Sequence, residues 1–128
     1  NSPRYGRSIE RQIIRSNGYQ LADGGREWRD ATTDRGRDIE IKAAQRTRSN
    51  GQPGRFRIFR SSHEKLKQEA GAYHFAVYRP RGSGAEILQD RTLLARNLTG
   101  FDRSNSDHST RRVAGRAEQD KIDLREVF

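Results

Sequence analysis

Cysteine is absent from this sequence, and hydrophobic residues make up only 30% of its 128 residues. Without cysteine there are no disulfide bonds and no thiolate metal ligands, a composition typical of intracellular proteins. No apolar run approaches the roughly 20 residues that a membrane-spanning helix requires, and the N-terminus lacks the apolar segment of a signal peptide. We therefore expect an intracellular protein, in the cytoplasm or nucleoid, that does not enter a membrane.

Positive charge dominates the composition. Lysine and arginine number 26 against 17 aspartates and glutamates, which gives a net charge of +9 and a pI near 10.8. A basic surface can serve solubility alone, but a polyanion such as nucleic acid is its natural partner.

The chain length leaves room for one small domain with a thin core. After Phe101 the sequence becomes rich in Ser, Arg, Asn and Asp. We therefore expect residues 1–101 to form the domain and residues 102–128 a polar, mobile C-terminal extension. Within that extension Ile122, Leu124 and the final Val127-Phe128 could bind back to the domain.

The most informative stretch is residues 28–42, which predicts a β-hairpin. Polar and apolar residues alternate along both of its halves, the pattern of half-buried strands. Between the halves lies Asp34-Arg35-Gly36, a three-residue connection typical of a type I turn followed by a left-handed glycine. This turn would place Thr33 opposite Arg37.

Counting back from that pair, Asp30 lies directly opposite Glu40 and Trp28 opposite Lys42. Two like charges directly opposed destabilise a sheet. A carboxylate pair with a lysine beside it makes sense if a hard dication lies between the carboxylates. The pattern therefore predicts a magnesium site. Asp38 shares a strand face with Glu40 and is either a further ligand or a residue that borders the site.

Asp30 followed by Glu40-Ile41-Lys42 on a hairpin resembles the motif of the PD-(D/E)xK nuclease superfamily. This group includes many restriction endonucleases, archaeal Holliday-junction resolvases and related phage and archaeal nucleases. The resemblance covers about residues 4–80, and Arg29 stands where the name of the motif has proline. It implies an α/β, restriction-endonuclease-like core of order αβββαβ, with a small mixed sheet flanked by helices.

The resemblance also implies metal-dependent endonucleolytic hydrolysis of DNA. Asp30, Glu40 and the carbonyl of Ile41 would hold Mg²⁺, for which Mn²⁺ can substitute. Lys42 would orient the attacking water and counter the developing negative charge. In the resolvases a glutamate on the first helix faces the metal, and Glu10 resembles that residue. Alternatively, Glu10 turns outwards to neighbouring arginines.

Six arginines are candidates for holding DNA phosphates: Arg46, Arg48, Arg55 and Arg57 in a loop after the hairpin, with Arg7 and Arg11 on the first helix. Such contacts position a substrate without reading its bases. The alternative for the loop is a solvated segment, since it also contains Asn-Gly and Pro-Gly breakers.

Hydrophobic periodicity predicts the remaining elements. These elements are a first helix over Pro3–Ser16, a strand from Tyr19, a helix over Ser62–Ala70, a central buried strand over Tyr73–Tyr78, an outer strand over Glu86–Leu88, and a helix from Asp90 through Leu98. The second helix would be capped by Ser61 or Ser62 and would turn Leu66 inward. His74, on the central buried strand, is expected to be a hydrogen-bonded core residue.

Two other classes of function stay open. The domain could be a non-cleaving DNA-binding module on the same fold, although such a module has no need of Asp30, Glu40 and Lys42 together. It could instead be a basic RNA-binding protein, which aromatic residues exposed on a sheet would favour. A homodimer is a possible assembly.

Overall fold

The computed structural model describes residues 3–22, 28–98, 119–123 and 127–128. The predicted turn at Asp23-Gly24-Gly25, residue Leu124 and most of the stretch after Phe101 lie outside the described residues. The elements in chain order are α1 (Pro3–Asn17), β1 (Gln20–Leu21), β2 (Ala31–Thr32), β3 (Asp38–Gln45), β4 (Arg55–Phe59), α2 (Arg60–Gln68), β5 (Ala72–Arg81), β6 (Gly84–Leu94), a short 3-10 turn (Ala95–Asn97) and β7 (Gln119–Asp123).

Five strands form a mixed sheet in the order β1-β2-β3-β5-β6. The central pair, β3 and β5, is parallel, and the other neighbours are antiparallel. A parallel pair needs a crossover connection, and α2 lies in the connection from β3 to β5. This α/β architecture confirms the predicted restriction-endonuclease-like fold.

The α1 helix covers one face of the sheet. Ile9 and Ile13 are fully buried and pack with Ala76 and Tyr78 of β5. Arg7, Arg11 and Arg15 of α1 lie away from this contact and are exposed. The helical periodicity of the first 17 residues thus places α1 as predicted. None of the helices that the structure describes is long and apolar enough to cross a membrane.

The opposite face of the sheet carries the larger core. Leu66 of α2 packs there, as predicted, with Phe56 of β4 and Phe75 of β5. The end of the chain joins this core, because Ile122 and Val127 are also buried in it. β7 pairs with β4 as a separate two-stranded sheet. Ile122, Val127 and Phe128 therefore bind back as predicted, whereas the domain boundary at residue 101 stays a prediction.

The predicted helix from Asp90 through Leu98 is wrong. Asp90 to Leu94 instead continue the outer strand β6, which pairs with β5 from Gly84 to Leu94, and Ala95–Asn97 form the 3-10 turn. Leu93 contacts the α2-side core and Leu94 the opposite cluster, as alternate residues of a strand do. β5 offers backbone hydrogen-bond partners along its ten residues. The pairing with β5 outweighs the helix that the spacing of the leucines predicts.

The start of α2 also differs from the prediction. The helix begins at Arg60 and its N-cap is Phe59, without a side-chain cap, so neither Ser61 nor Ser62 caps it. The reason is that Phe56–Phe59 belongs to β4, whose ladder with β7 runs to Phe59. The strand therefore passes into the helix with no intervening loop.

His74 is a hydrogen-bonded core residue, as predicted. Its ring is buried, with Nδ1 2.9 Å from the Tyr19 hydroxyl and Nε2 2.6 Å from Asp90 Oδ2. Both ring nitrogens are thus engaged within the fold.

Candidate active site

The β2–β3 hairpin has the predicted turn. Thr33 N–H donates to the Arg37 carbonyl over 2.9 Å, and Thr32 pairs with Asp38. Gly36 has a φ of 86°, the left-handed conformation that favours glycine. The turn chemistry alone therefore sets the register of the two strands.

Asp30 lies at the end of this ladder, one place beyond the pair Ala31–Ile39. Its N–H donates to the Ile39 carbonyl over 2.7 Å, which ties Asp30 to β3 although it lies outside the regular ladder. Its side chain is held as well, because Oδ2 accepts a 2.7 Å hydrogen bond from the N–H of Ile41. The carboxylate of Asp30 is thereby fixed beside the strand segment that carries Glu40.

Glu40 is buried, with 7% of its surface exposed. Its Oε2 lies 3.1 Å from Lys42 Nζ, an ion pair between neighbours on one face of β3. Among the described residues nothing donates a hydrogen bond to the other oxygen, Oε1. A buried carboxylate oxygen without a partner is unfavourable, so this atom indicates a place for a cation.

Three carboxylates influence one another at this end of the sheet. Burial raises the pKa of Glu40 to about 7, with the charges of Asp30 and Glu10 adding to the effect and Lys42 opposing it. Burial also raises the pKa of Asp30, against the Ile41 hydrogen bond and Lys42. Burial, followed by the charge of Asp30, raises the pKa of Glu10. Glu10 of α1 therefore lies within electrostatic reach of the hairpin carboxylates.

These residues suit a hard divalent cation by chemistry, since Mg²⁺ and Mn²⁺ prefer carboxylate and carbonyl oxygen. Asp30 and Glu40 supply the carboxylates, and Ile41, directly after Glu40 in sequence, supplies a backbone carbonyl. The partnerless Oε1 of Glu40 agrees with such a ligand. However, in the part of the chain that is described, no three or more His, Asp or Glu side chains form a ready-made metal cluster. Water and substrate oxygens would have to complete the coordination.

The β2–β3 ladder ends at the pair Ala31–Ile39, so the predicted pairing of Trp28 with Lys42 is not part of it. Trp28 packs against the α2-side core with Lys65 Nζ 5.8 Å from its ring centroid. Lys42 instead lies with Nζ 5.8 Å from the ring centroid of Phe59, which the sequence did not single out. Phe59 closes the space beside the ammonium group.

Asp38 is occupied by Arg29, with which it forms a short ion pair. Of the two roles open to Asp38, bordering the site fits this pairing better than binding a metal. Arg29 also lies over the Trp28 ring. No spacing rule in the sequence pairs Arg29 with Asp38, because the residue that faces Asp38 across the hairpin is Thr32.

The six candidate DNA-binding arginines separate into groups. Arg7 and Arg11 are exposed on α1, where their charges oppose the raised pKa of Glu10. Arg48, Arg55 and Arg57 line a common cavity beyond the end of β3, whereas Arg46 is exposed outside that lining.

A small mixed five-stranded sheet with two helices is the architecture of the restriction-endonuclease-like class. The chain matches the PD-(D/E)XK nuclease superfamily domain over residues 1–128, and it belongs to this superfamily. Nucleases of this kind generally use divalent metals, and their substrates are nucleic acids. No curated protein matches the chain.

Proposed function

We propose that this nuclease is a magnesium-dependent DNA endonuclease whose reaction depends on Asp30, Glu40 and Lys42. The observation that carries the proposal is the buried carboxylate of Glu40, which has one oxygen paired with Lys42 and the other without a hydrogen-bond partner among the described residues. Such an arrangement is costly in the metal-free protein. Its cost supports a functional role, because a structural role would be served as well by an apolar side chain.

Asp30, Glu40 and the Ile41 carbonyl would hold the cation, and Glu10 would approach from α1 to complete the shell. When bound, Mg²⁺ lowers the pKa of a coordinated water and stabilises negative charge on the phosphate. Mn²⁺ has the same preference for oxygen ligands and can substitute. The backbone hydrogen bond from Ile41 orients Asp30 before any ligand arrives.

Lys42 would act on the reacting groups. Its ammonium lies on the strand face of Glu40 and is confined by Phe59. From this position it can orient the attacking water and donate to a phosphate oxygen as negative charge develops. The net charge of +9 supplies attraction to DNA without sequence preference.

The test is incubation of the protein with linear, supercoiled, single-stranded and branched DNA and with RNA, each in Mg²⁺, Mn²⁺ or chelator. We expect cleavage of at least one DNA form with either metal and none in chelator. Glu40→Gln is the inactive control, and Asp34→Asn, a change in the exposed turn of the same hairpin, is the matched active control. Binding without cleavage would favour the non-cleaving module, and cleavage of RNA alone would contradict the DNA substrate.

A further inference from the structure

A cavity of about 380 Å³ lies where β3 ends and the following loop turns back into β4. Its volume is at the lower end of small-ligand pockets, which measure roughly 300–1,000 Å³. Of the described residues that line it, three are arginines and none is acidic. A cavity with this lining favours an anion.

Internal contacts of the loop hold the first of these arginines. Arg48 Nε donates to the Pro53 carbonyl over 2.9 Å, and the Arg48 N–H donates to the Gln52 carbonyl over 2.7 Å. The other nitrogens of the guanidinium remain able to donate to a ligand. Because the side chain is already ordered, less conformational entropy is lost on binding.

The other two arginines project from β4. Arg55 and Arg57 are exposed and alternate with the buried residues Phe56 and Ile58, so both lie on the same strand face. Opposite Arg57 in the ladder stands Lys121 of β7. Two guanidinium groups one strand repeat apart can approach the same phosphate from two directions.

Gly54 shapes the wall of the cavity. A Cβ at this position would lie 1.8 Å from the carbonyl oxygen of Gln45, so only glycine allows the loop to pass so close to the end of β3. The cavity is thus built into the backbone rather than formed by mobile side chains alone.

One residue of the cavity lining, Ala44, lies on the face of β3 that carries Glu40 and Lys42 of the candidate active site. Glu40, Lys42 and Ala44 alternate with residues of the other face, and Ala44 lines the cavity. At about 3.3 Å per residue, Ala44 lies about 7 Å beyond Lys42 along the strand. Phe59, on the strand face of Arg57, contacts Lys42 and connects the two regions.

We propose that this cavity is a preformed subsite for one internal phosphate of the DNA strand whose cleavage is proposed above. Planar guanidinium groups match phosphate geometry and bind it through paired, charge-assisted hydrogen bonds. The separation along β3 places this phosphate within about two nucleotides of the bond to be cut. This proposal extends the proposed function. It rests on that function, because only the proposed cleavage identifies the bound strand as the DNA strand that is cut.

The first arm of the test measures binding without cleavage. Trithymidylate, which has internal phosphates only, is titrated in calcium while the arginine Nε–H resonances are followed by NMR. We expect shifts at Arg48, Arg55 and Arg57, absent when the phosphates are replaced by neutral methylphosphonates. Arg57→Ala should weaken binding about tenfold. Arg35→Ala, which removes the same charge from the exposed hairpin turn, should leave it nearly unchanged.

Three results would overturn the subsite: equal binding of the neutral trinucleotide, equal losses for Arg57→Ala and Arg35→Ala, or shifts with thymidine 5′-phosphate but not with trithymidylate. The last result would assign the cavity to a terminal phosphate. A melting curve of each variant establishes that it is folded.

The second arm uses the DNA form that the wild type cuts, with one methylphosphonate at successive positions from the cut. We expect the rate to fall about tenfold at a position within about two nucleotides of the cut, and Arg57→Ala to be insensitive to that substitution. Uniform sensitivity along the strand would contradict the placement. If trithymidylate binds as expected in the first arm but no DNA is cut, the results contradict the proposed cleavage and still support the phosphate-binding site.

Discussion

Lys42 Nζ lies 3.1 Å from one carboxylate oxygen of Glu40, and no described residue donates a hydrogen bond to the other oxygen. The two side chains share a face of β3 because they are two residues apart in a strand. Lys42 therefore compensates half of a buried carboxylate and leaves the other half able to bind a cation. The unpaired oxygen of Glu40 therefore both lowers the stability of the metal-free hairpin and provides the proposed metal ligand.

Removing either hairpin carboxylate should abolish cleavage. Glu40→Gln and Asp30→Asn each remove a charged ligand, and we expect a loss of about a thousandfold or more in rate. Because repulsion between the carboxylates is relieved, the melting temperature of the metal-free protein should not fall and can rise. Cleavage assays and thermal melts in chelator measure both effects. Wild-type rates for either variant would contradict the proposed site.

Lys42→Ala should separate metal binding from catalysis. The metal ligands remain, so calorimetry with Mn²⁺ should still detect binding, while cleavage falls by about a hundredfold or more. Loss of the ammonium raises the pKa of Glu40 further, so the titration belongs in a buffer above neutral pH. Lys65→Ala, at an exposed position of α2, is the control. Unchanged turnover in Lys42→Ala would assign this lysine to the surface charge alone.

The metal-free protein should lose stability as the pH rises from about 4.5 to about 7. Burial raises the pKa of Glu40 from 4.5 to about 7, so the folded state keeps its proton in this range while the unfolded state releases it. The expected loss is about 3 kcal/mol, complete above the folded pKa. Urea denaturation in chelator measures it.

Glu40→Gln is the control for this pH effect. The pKa values of Asp30 and Glu10 are raised too, so the difference in the free energy of unfolding between variant and wild type separates the contribution of Glu40 from theirs. The variant should be the more stable of the two above pH 7, with the difference shrinking towards pH 4.5. A difference independent of pH would show that Glu40 is not held in a destabilised charged form.

Arg29→Ala should destabilise the hairpin. The substitution leaves the buried carboxylate of Asp38 without its partner, at a cost of about 3 kcal/mol or more in the free energy of unfolding. Arg79→Ala breaks the exposed pair with Glu86 and should have little effect. Urea denaturation at neutral pH compares the variants. Similar stabilities for both would mean that the Arg29–Asp38 pair does not support the site.

Binding to DNA should depend steeply on salt. Each phosphate neutralised contributes a slope of about −0.9 in log K against log salt, so contacts from all six candidate arginines give about −5. Removing any one of them should flatten the slope by about one unit, with little change in sequence preference. Binding isotherms in calcium at several salt concentrations measure this. A slope near zero in the wild type would assign the arginines to solvated surface.

The acidic hairpin was predictable because its register depends on neighbours in sequence. Asp34-Arg35-Gly36 determines the turn, and the register that follows pairs Thr32 with Asp38 and Ala31 with Ile39, which brings Asp30 to one place beyond the ladder. The same local rule failed at Trp28, since the ladder ends at Ala31 and the side chain packs into the core. The alternation therefore holds only as far as the strand pairing does.

The sequence by itself determined the order of α1, β1, β2, β3, α2 and β5, the burial of Leu66 and His74, and the register of the hairpin as far as Ala31–Ile39, since each follows from periodicity or turn chemistry over a few residues. Only the tertiary structure decided that Asp90 to Leu94 continue a strand, that Arg29 pairs with Asp38, and that the arginines of the loop and β4 share one cavity. These features depend on contacts between distant segments. In such contacts, backbone pairing with a neighbouring strand or the cost of an unpaired buried charge can outweigh local propensity. Neither effect can be predicted from a short stretch of the sequence.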